Sequence, residues 1–185
     1  EQDFRGILRD DVIYVGQGGG LPAYSADNND HYEALESAGT NLGDPQVLVR
    51  RAQSSVTGLP SEAVAGVLTS RASARAFFVD GTNRAMFRFT VLNHLCMDLE
   101  QLKDGTRPTD RIRQDISRSP GGDSRLFLNS CVDCHAGMDP MSQAFAYYGF
   151  PYPDEDALPG LELEQRKDRG RIEYTPGTVQ GKYLI

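Results

Sequence analysis

No stretch of this sequence approaches the roughly 18 consecutive apolar residues that a membrane-crossing helix needs, so no membrane span is expected. Positive charge is also in short supply: 19 Lys and Arg stand against 26 Asp and Glu, giving a net charge of −7. Long-range electrostatics therefore oppose nucleic acid and anionic lipid, and favour a partner with a basic face. No internal repeat is evident, which excludes solenoid and array architectures. The glycine-rich run Gly16-Gln17-Gly18-Gly19-Gly20 lacks the Lys-Ser/Thr and the helix that a phosphate loop requires, so it reads as a plain loop. No signal-peptide pattern opens the given sequence, which begins Glu1-Gln2-Asp3 without Met, and a processed or trimmed mature form is expected. Cysteine and histidine are scarce, three of each, and that scarcity makes their grouping informative.

Two of the cysteines and one histidine fall together in Cys131-Val132-Asp133-Cys134-His135, a C-x-x-C-H. This spacing is that of c-type haem attachment: two thiols add across the two vinyl groups of one porphyrin, and the residue after the second thiol is carried beneath the ring. There His135 becomes the proximal iron ligand. One motif implies one covalent haem c. Attachment of such a haem takes place outside the cytoplasmic membrane in bacteria, which implies a periplasmic or extracellular protein. Two other chemistries share the C-x-x-C half. A structural zinc centre would draw on Cys96, Cys131, Cys134 and one histidine, although His94-Leu95-Cys96 does not repeat the two-residue gap usual in such sites. A dithiol redox site fits less well, because no βαβ pattern surrounds the pair.

A hydrophobic share of 39% beside 24% charged residues is ordinary for a folded protein, and 185 residues suffice for one domain. The patterning predicts a mainly α fold: a helical monohaem domain over 44–150, an irregular N-terminal arm with a short helix over 1–43, and an irregular C-terminal tail over 151–185. Asp11 to Val15 reads as a short strand or extended arm. Asp30 caps a helix that Gly39 ends; Asp44 and Pro45 open a second, running through Val47 to Val56 and stopped by Gly58. Ser61 opens a third helix towards Ala74, with Gly66 inside it. The longest helix is capped by Thr82 or Asn83 and reaches Lys103-Asp104. At about 100° per residue it puts Val91, Leu92, Leu95, Leu99 and Leu102 on a core stripe, and leaves Met86, Phe89, Thr90, Asn93 and Met97 on a second face too apolar for solvent. A short helix is expected over Asp110 to Ser117, another from the Asp123 cap through Ser124 to Asn129, and one more from Asp139-Pro140 through Met141 to Tyr148. A short strand is expected at Ile172-Glu173-Tyr174. Cys96 reads as a small buried hydrophobe in the long helix, with an intermolecular disulfide as the sharper alternative.

Gly66-Val67-Leu68-Thr69-Ser70-Arg71, the stretch from Thr82 to Cys96, and Cys131 through Met138-Asp139-Pro140 together resemble the cytochrome-c domains of large secreted planctomycete-type haem proteins, which also occur in proteobacteria. The matching pattern there is a G-x-L-T helix, a helix of the type R-x-W-V-L-E-x-L-L-C, and C-x-x-C-H-x-x-M-D-P followed by an Ala/Phe-rich helix. The likeness covers roughly residues 60–150 and rests most on the haem motif. It implies covalent haem at Cys131 and Cys134 with His135 proximal. The chain departs from the pattern at Ala85-Met86-Phe87-Arg88, where the family has an Arg-Gly helix start. Family members also continue further, so Ile185 is not expected to be the biological end.

The sixth iron ligand decides between electron carrier and catalyst. Met138 and Met141 follow His135 too closely to reach the opposite face of the ring, and read as packing residues. Upstream stand Met86, Met97, His94 and His31. Met86 and Met97 lie about 16 Å apart along one helix, so one haem takes one of them. Met86 is favoured, because Arg84 and Arg88 flank it and suit haem propionates; Arg71 and Arg125 are weaker choices for that task. A core methionine is the plain alternative for Met86, a bis-His centre through His94 another, and His31 reads as a solvated surface residue. Phe127, Phe145, Tyr147 and Tyr148 are expected to wall the ring. The expected function is one-electron transfer with a redox partner protein. The alternatives are a haem catalyst with an open distal site, a zinc module, and a subunit of an extracellular haem assembly held together by arm and tail.

Overall fold

The structure, a computed structural model, describes residues 10–78 and 83–178. It is mainly α: 43% of the described residues are helical, and the longest strands have four residues. Two compact units divide the chain, residues 10–76 with 150–174, and residues 77–78 and 83–149 with 175–178. Residues 10–43 and 151–174, expected as irregular extensions, thus share a folded unit with 44–76. Among the described residues, no helix is long and apolar enough to cross a membrane.

In the first unit, β1 (Ile13–Gly16) pairs antiparallel with β2 (Leu48–Arg51), Ile13 opposite Arg51 and Gly16 opposite Leu48. The helix expected from Asp44 to Val56 is therefore corrected. Asp44 and Pro45 make a turn, with the Asp44 carboxylate accepting from the Gln46 N–H at 2.8 Å, and only α2 (Gln53–Thr57) is helical. The strand-prone Leu48-Val49 pair finds backbone partners in β1, and this tertiary pairing overrides the local cap signal. Gly58, at φ +78, stops α2 as expected. The helix expected from Ser61 to Ala74 is broken as well: it becomes two tight turns, Ser61–Ala63 and Gly66–Thr69, the second opening on Gly66 at φ +54, and extended Ser70 then leads into α3 (Arg71–Phe77).

Helix α1 (Asp30–Ser37) carries a second correction, because His31 is buried rather than solvated. Its Nε2 accepts from the Gly16 N–H at 2.8 Å and its Nδ1 sits 2.7 Å from the Pro22 carbonyl, so both ring nitrogens are engaged in fastening the glycine-rich loop. Arg71 is buried in the same unit, donating from Nε to the Gly170 carbonyl, from one terminal nitrogen to the Asp168 carbonyl and from the other to Asn29. It is a structural clamp within that unit. A Cβ added at Gly170 would lie 2.5 Å from Phe150 Cε1 and 2.9 Å from the Pro151 carbonyl oxygen. Gly170→Ala is therefore expected to lose about 2 kcal/mol by overpacking, read as a lowered denaturant midpoint; an unchanged midpoint would show that this packing yields.

The second unit is built on α4 (Arg84–His94) and α6 (Val132–Ser142). Asn83, fully buried at φ +51, holds the start of α4 by donating to the carbonyls of Phe145 at 2.6 Å and Tyr148 at 3.0 Å. The expected run to Lys103 is corrected: Cys96 takes a left-handed φ of +56 and the chain turns back through residues 98–102. Leu99 is consequently buried against Phe87 and Val91, whereas Leu92, Leu95 and Leu102 of the expected core stripe are exposed. Cys96 is an exposed free thiol outside the helix, not a buried helical residue. On the second apolar face Met86 is fully buried, and Phe89 stacks on Phe77 at 4.5 Å. Of the helix expected over 110–117, only the turn Thr109–Arg111 is helical. A second cluster packs Ile112, Phe127, Val132 and Ala136 together, and the Arg118 guanidinium over the Phe127 ring closes it.

Candidate functional site

The cysteine motif is delivered by an unbroken helical path. Asp123 caps α5 (Ser124–Leu126), its carboxylate accepting from the Arg125 N–H as the sequence predicts, and a π turn (Phe127–Cys131) leads directly into α6. Such wide turns recur at functional sites. Cys131, Cys134 and His135 stand at i, i+3 and i+4, so the three side chains share one face. Both thiols are free and partly buried. The Cys131 Sγ lies 3.9 Å from the Leu126 carbonyl, and the Cys134 Sγ 3.9 Å from that of Leu99. Burial pushes the Cys134 thiol up from its ordinary value, with Lys103 opposing.

The expectation that Asp139-Pro140 starts a new helix is corrected, since α6 continues through Pro140 to Ser142. One helix from Val132 onward brings Asp139 a turn beyond His135, where its Oδ1 meets the imidazole Nδ1 at 3.1 Å. Asp139 is fully buried. It also accepts from Arg84 at 2.7 and 3.1 Å and from the Arg113 N–H at 2.9 Å. Burial alone would raise its pKa, but the hydrogen bonds from His135, Arg84 and the Arg113 N–H outweigh it and hold the carboxyl down at about 2. Beyond Asp139, Arg84 makes a bidentate pair with Asp115 at 2.8 Å on both arms. The Asp115 carboxyl is lowered chiefly by that hydrogen bond. The fully buried Arg113 lies 3.7 Å from Asp115 and completes a cluster of two carboxylates and two guanidinium groups. A neutral His135 whose Nδ1 proton faced Asp139 would present its Nε2 lone pair to a metal.

Beside Cys134 a cavity of about 160 Å³ is lined by Phe87, Leu99, Leu102, Met138 and Met141, with Arg107 and Asp104 at its polar side. Its size is under the roughly 300–1,000 Å³ of enclosed small-molecule sites, so anything larger held here stays partly exposed. Cys134, Met138 and Met141 are its sulfur-bearing lining residues; Met86, expected as the sixth ligand, is not among them. Arg84, expected beside a propionate, is committed to Asp139 and Asp115. Arg88 pairs with Asp98 at 3.1 Å on the surface, and Arg125 with Asp123. Arg107, which the sequence reading passed over, is the guanidinium at the cavity, held at 3.0 Å by Asp104. His94 packs edge-on to Phe89, and Met97 is exposed. None of the four expected wall aromatics lines this cavity: Phe127 is in the core cluster with Val132, Phe145 packs against the Phe87, Val91 and Leu99 cluster, Tyr148 stacks on Phe78, and Tyr147 is exposed.

Among the described residues no three His, Cys, Asp or Glu side chains converge on one point that would hold a metal. A zinc centre drawing four ligands from Cys96, Cys131, Cys134 and a histidine has no geometric support there. The motif does suit a group held by two thioether bonds and one imidazole, which asks only that two thiols and an oriented ring nitrogen share a helix face. Compared with protein-family models, curated proteins and solved structures, the chain matches none.

Proposed function

We propose that the chain is a monohaem c-type cytochrome of the periplasm or exterior, carrying one electron at a time to and from a partner protein. The observation that carries this reading is the common helix face of Cys131, Cys134 and His135, with both thiols free and the His135 Nδ1 fixed by Asp139. A covalently bound haem supplies reversible one-electron exchange at iron. Cys131 and Cys134 are the tether, and His135 offers Nε2 as proximal ligand. Asp139 sets the tautomer and ring plane of His135, and the Arg84 and Arg113 contacts keep Asp139 ionised and still, so little reorganises when charge changes. Arg107 is better placed than Arg84 or Arg88 to meet a propionate, being free of a buried partner and at the cavity. Leu102 and Met141 at the cavity, with Leu126 and Leu128 ahead of the motif, are exposed apolar side chains that would surround an exposed haem edge and serve for docking. The net charge of −7 favours a basic partner face.

A second reading, a catalyst with an open distal position, is favoured by the place of Met86 outside the cavity lining. The spectrum of the full chain, exported alongside a c-type haem maturation system, separates the two. With Met86 as sixth ligand the ferric protein is low-spin, and Met86→Ala turns it high-spin. With the position open, the wild type is itself high-spin and takes up carbon monoxide or cyanide rapidly.

A further inference from the structure

We infer that a cavity within the first unit is a binding site for a small aromatic carboxylate, with Arg71 as the cation that receives its head group. The site uses no residue of the cysteine motif and does not depend on the haem reading. Its volume is about 320 Å³, twice that of the cavity beside Cys134 and inside the roughly 300–1,000 Å³ of small-molecule sites. An apolar cavity of roughly 150 Å³ takes up benzene, so this one has room for about a dozen non-hydrogen atoms, a ring with a short acidic arm. Val12, Ile13 and Leu48 give it an apolar wall. Tyr24 and Tyr32, edge-on to each other at 6.0 Å, give it an aromatic one.

The head group is set by a charge without a partner. Arg71 is the only charged side chain among the described residues lining the cavity, and it is 5% exposed. A guanidinium so deeply buried ordinarily faces a carboxylate. Here its three acceptors are all neutral: the Gly170 and Asp168 carbonyls and the Asn29 amide oxygen. The carboxylates whose fields reach it are engaged by other arginines, Asp168 by Arg75 at 2.9 Å and Asp27 by Arg171 at 3.5 Å. Burial accordingly lowers the Arg71 guanidinium from its ordinary value, and those carboxylates only partly oppose it. The three bonds leave part of its donor fork unspent. Neutral donors stand beside it. The side-chain oxygens of Asn28 and Asn29 accept hydrogen bonds, but among the described residues their NH2 groups and the Tyr24 hydroxyl donate none. Burial raises the Tyr24 phenol, with Arg71 opposing, so it remains a proton donor at neutral pH. A lining with spare donors, one positive charge and no carboxylate selects an anion, and its apolar and aromatic walls select a ring behind it.

Calorimetric titration of the full chain with cinnamate, cinnamamide and acetate tests this. Cinnamate is expected to bind one to one. Cinnamamide has the same shape without the charge and is expected to bind at least about tenfold more weakly. Acetate, a head group without a ring, is expected to give no measurable binding. Tyr24→Phe removes a hydroxyl that no neighbour uses, so it leaves the unfolding midpoint in place and weakens cinnamate about tenfold. Arg71→Lys keeps the charge but loses the planar fork, and a similar loss is expected. No binding of cinnamate, equal affinity for cinnamate and cinnamamide, or wild-type affinity in Tyr24→Phe overturns the inference. If Arg71→Lys does not fold, the ligand pair and Tyr24→Phe decide.

Discussion

Replacing Cys131 and Cys134 together by serine removes all covalently held haem from the exported chain, while its helical content and unfolding midpoint without haem stay close to those of the wild-type polypeptide. Serine is near in size to cysteine, and each thiol makes only a long contact of 3.9 Å to a carbonyl, so the substitution subtracts chemistry rather than packing. A hydroxyl does not add to a vinyl group under these conditions, so any haem that remains is held by His135 alone and is stripped by acidic organic solvent. Each single substitution leaves one thioether and is expected to keep a reduced amount of haem with a shifted absorption maximum. Haem that stays with the polypeptide after denaturation in the double variant would contradict the tether assigned to these two residues.

Asp139→Ala is expected to destabilise the second unit by about 3 kcal/mol, the other large effect. The substitution deprives the buried Arg113 N–H of its acceptor, which costs about 1–3 kcal/mol, and leaves Arg84 with one carboxylate in place of two in a mostly buried setting. The comparison with Asp115→Ala sharpens this. Asp115 retains some solvent contact and lies at the outer end of the cluster, so its removal is expected to lose clearly less. Denaturant unfolding of the two variants beside the wild type measures both. A loss under about 1 kcal/mol for Asp139→Ala would mean that the cluster relaxes or takes up water, and that His135 is positioned by something else.

The grouping of Cys131, Cys134 and His135 was legible because it is written in adjacent residues and demands only one spacing. The Asp123 cap and the Gly58 stop were legible for the same reason, being local; Asn83 was legible as the residue ahead of α4, but its side chain bonds the Phe145 and Tyr148 carbonyls 62 and 65 residues away instead of capping the helix. What the sequence concealed depended on contacts made at long range. Pro140 reads as a helix start because proline lacks an N–H, yet α6 tolerates the one lost hydrogen bond while its flanks are packed, and this error hid Asp139 as a partner of His135. Leu48 and Val49 carried a helix signal from Asp44-Pro45 that pairing with β1 overrode. Nothing local announces that Cys96 adopts a left-handed backbone, so the long stripe of leucines was carried past the true helix end. His31, in polar surroundings by sequence, is buried because two backbone groups of the glycine-rich loop come to its ring. Nothing local shows that Arg84 meets Asp115 and Asp139, which lie 31 and 55 residues further along.

The central claim is that two thioether bonds and one histidine hold a single haem on α6. A pyridine haemochrome determination on the purified full chain, made before and after extraction with acidified acetone, tests it most directly. The account predicts one haem c per polypeptide, with the absorbance remaining in the protein pellet. Colourless protein, haem that leaves with the solvent, or thiols at residues 131 and 134 that both react as free cysteines would contradict it.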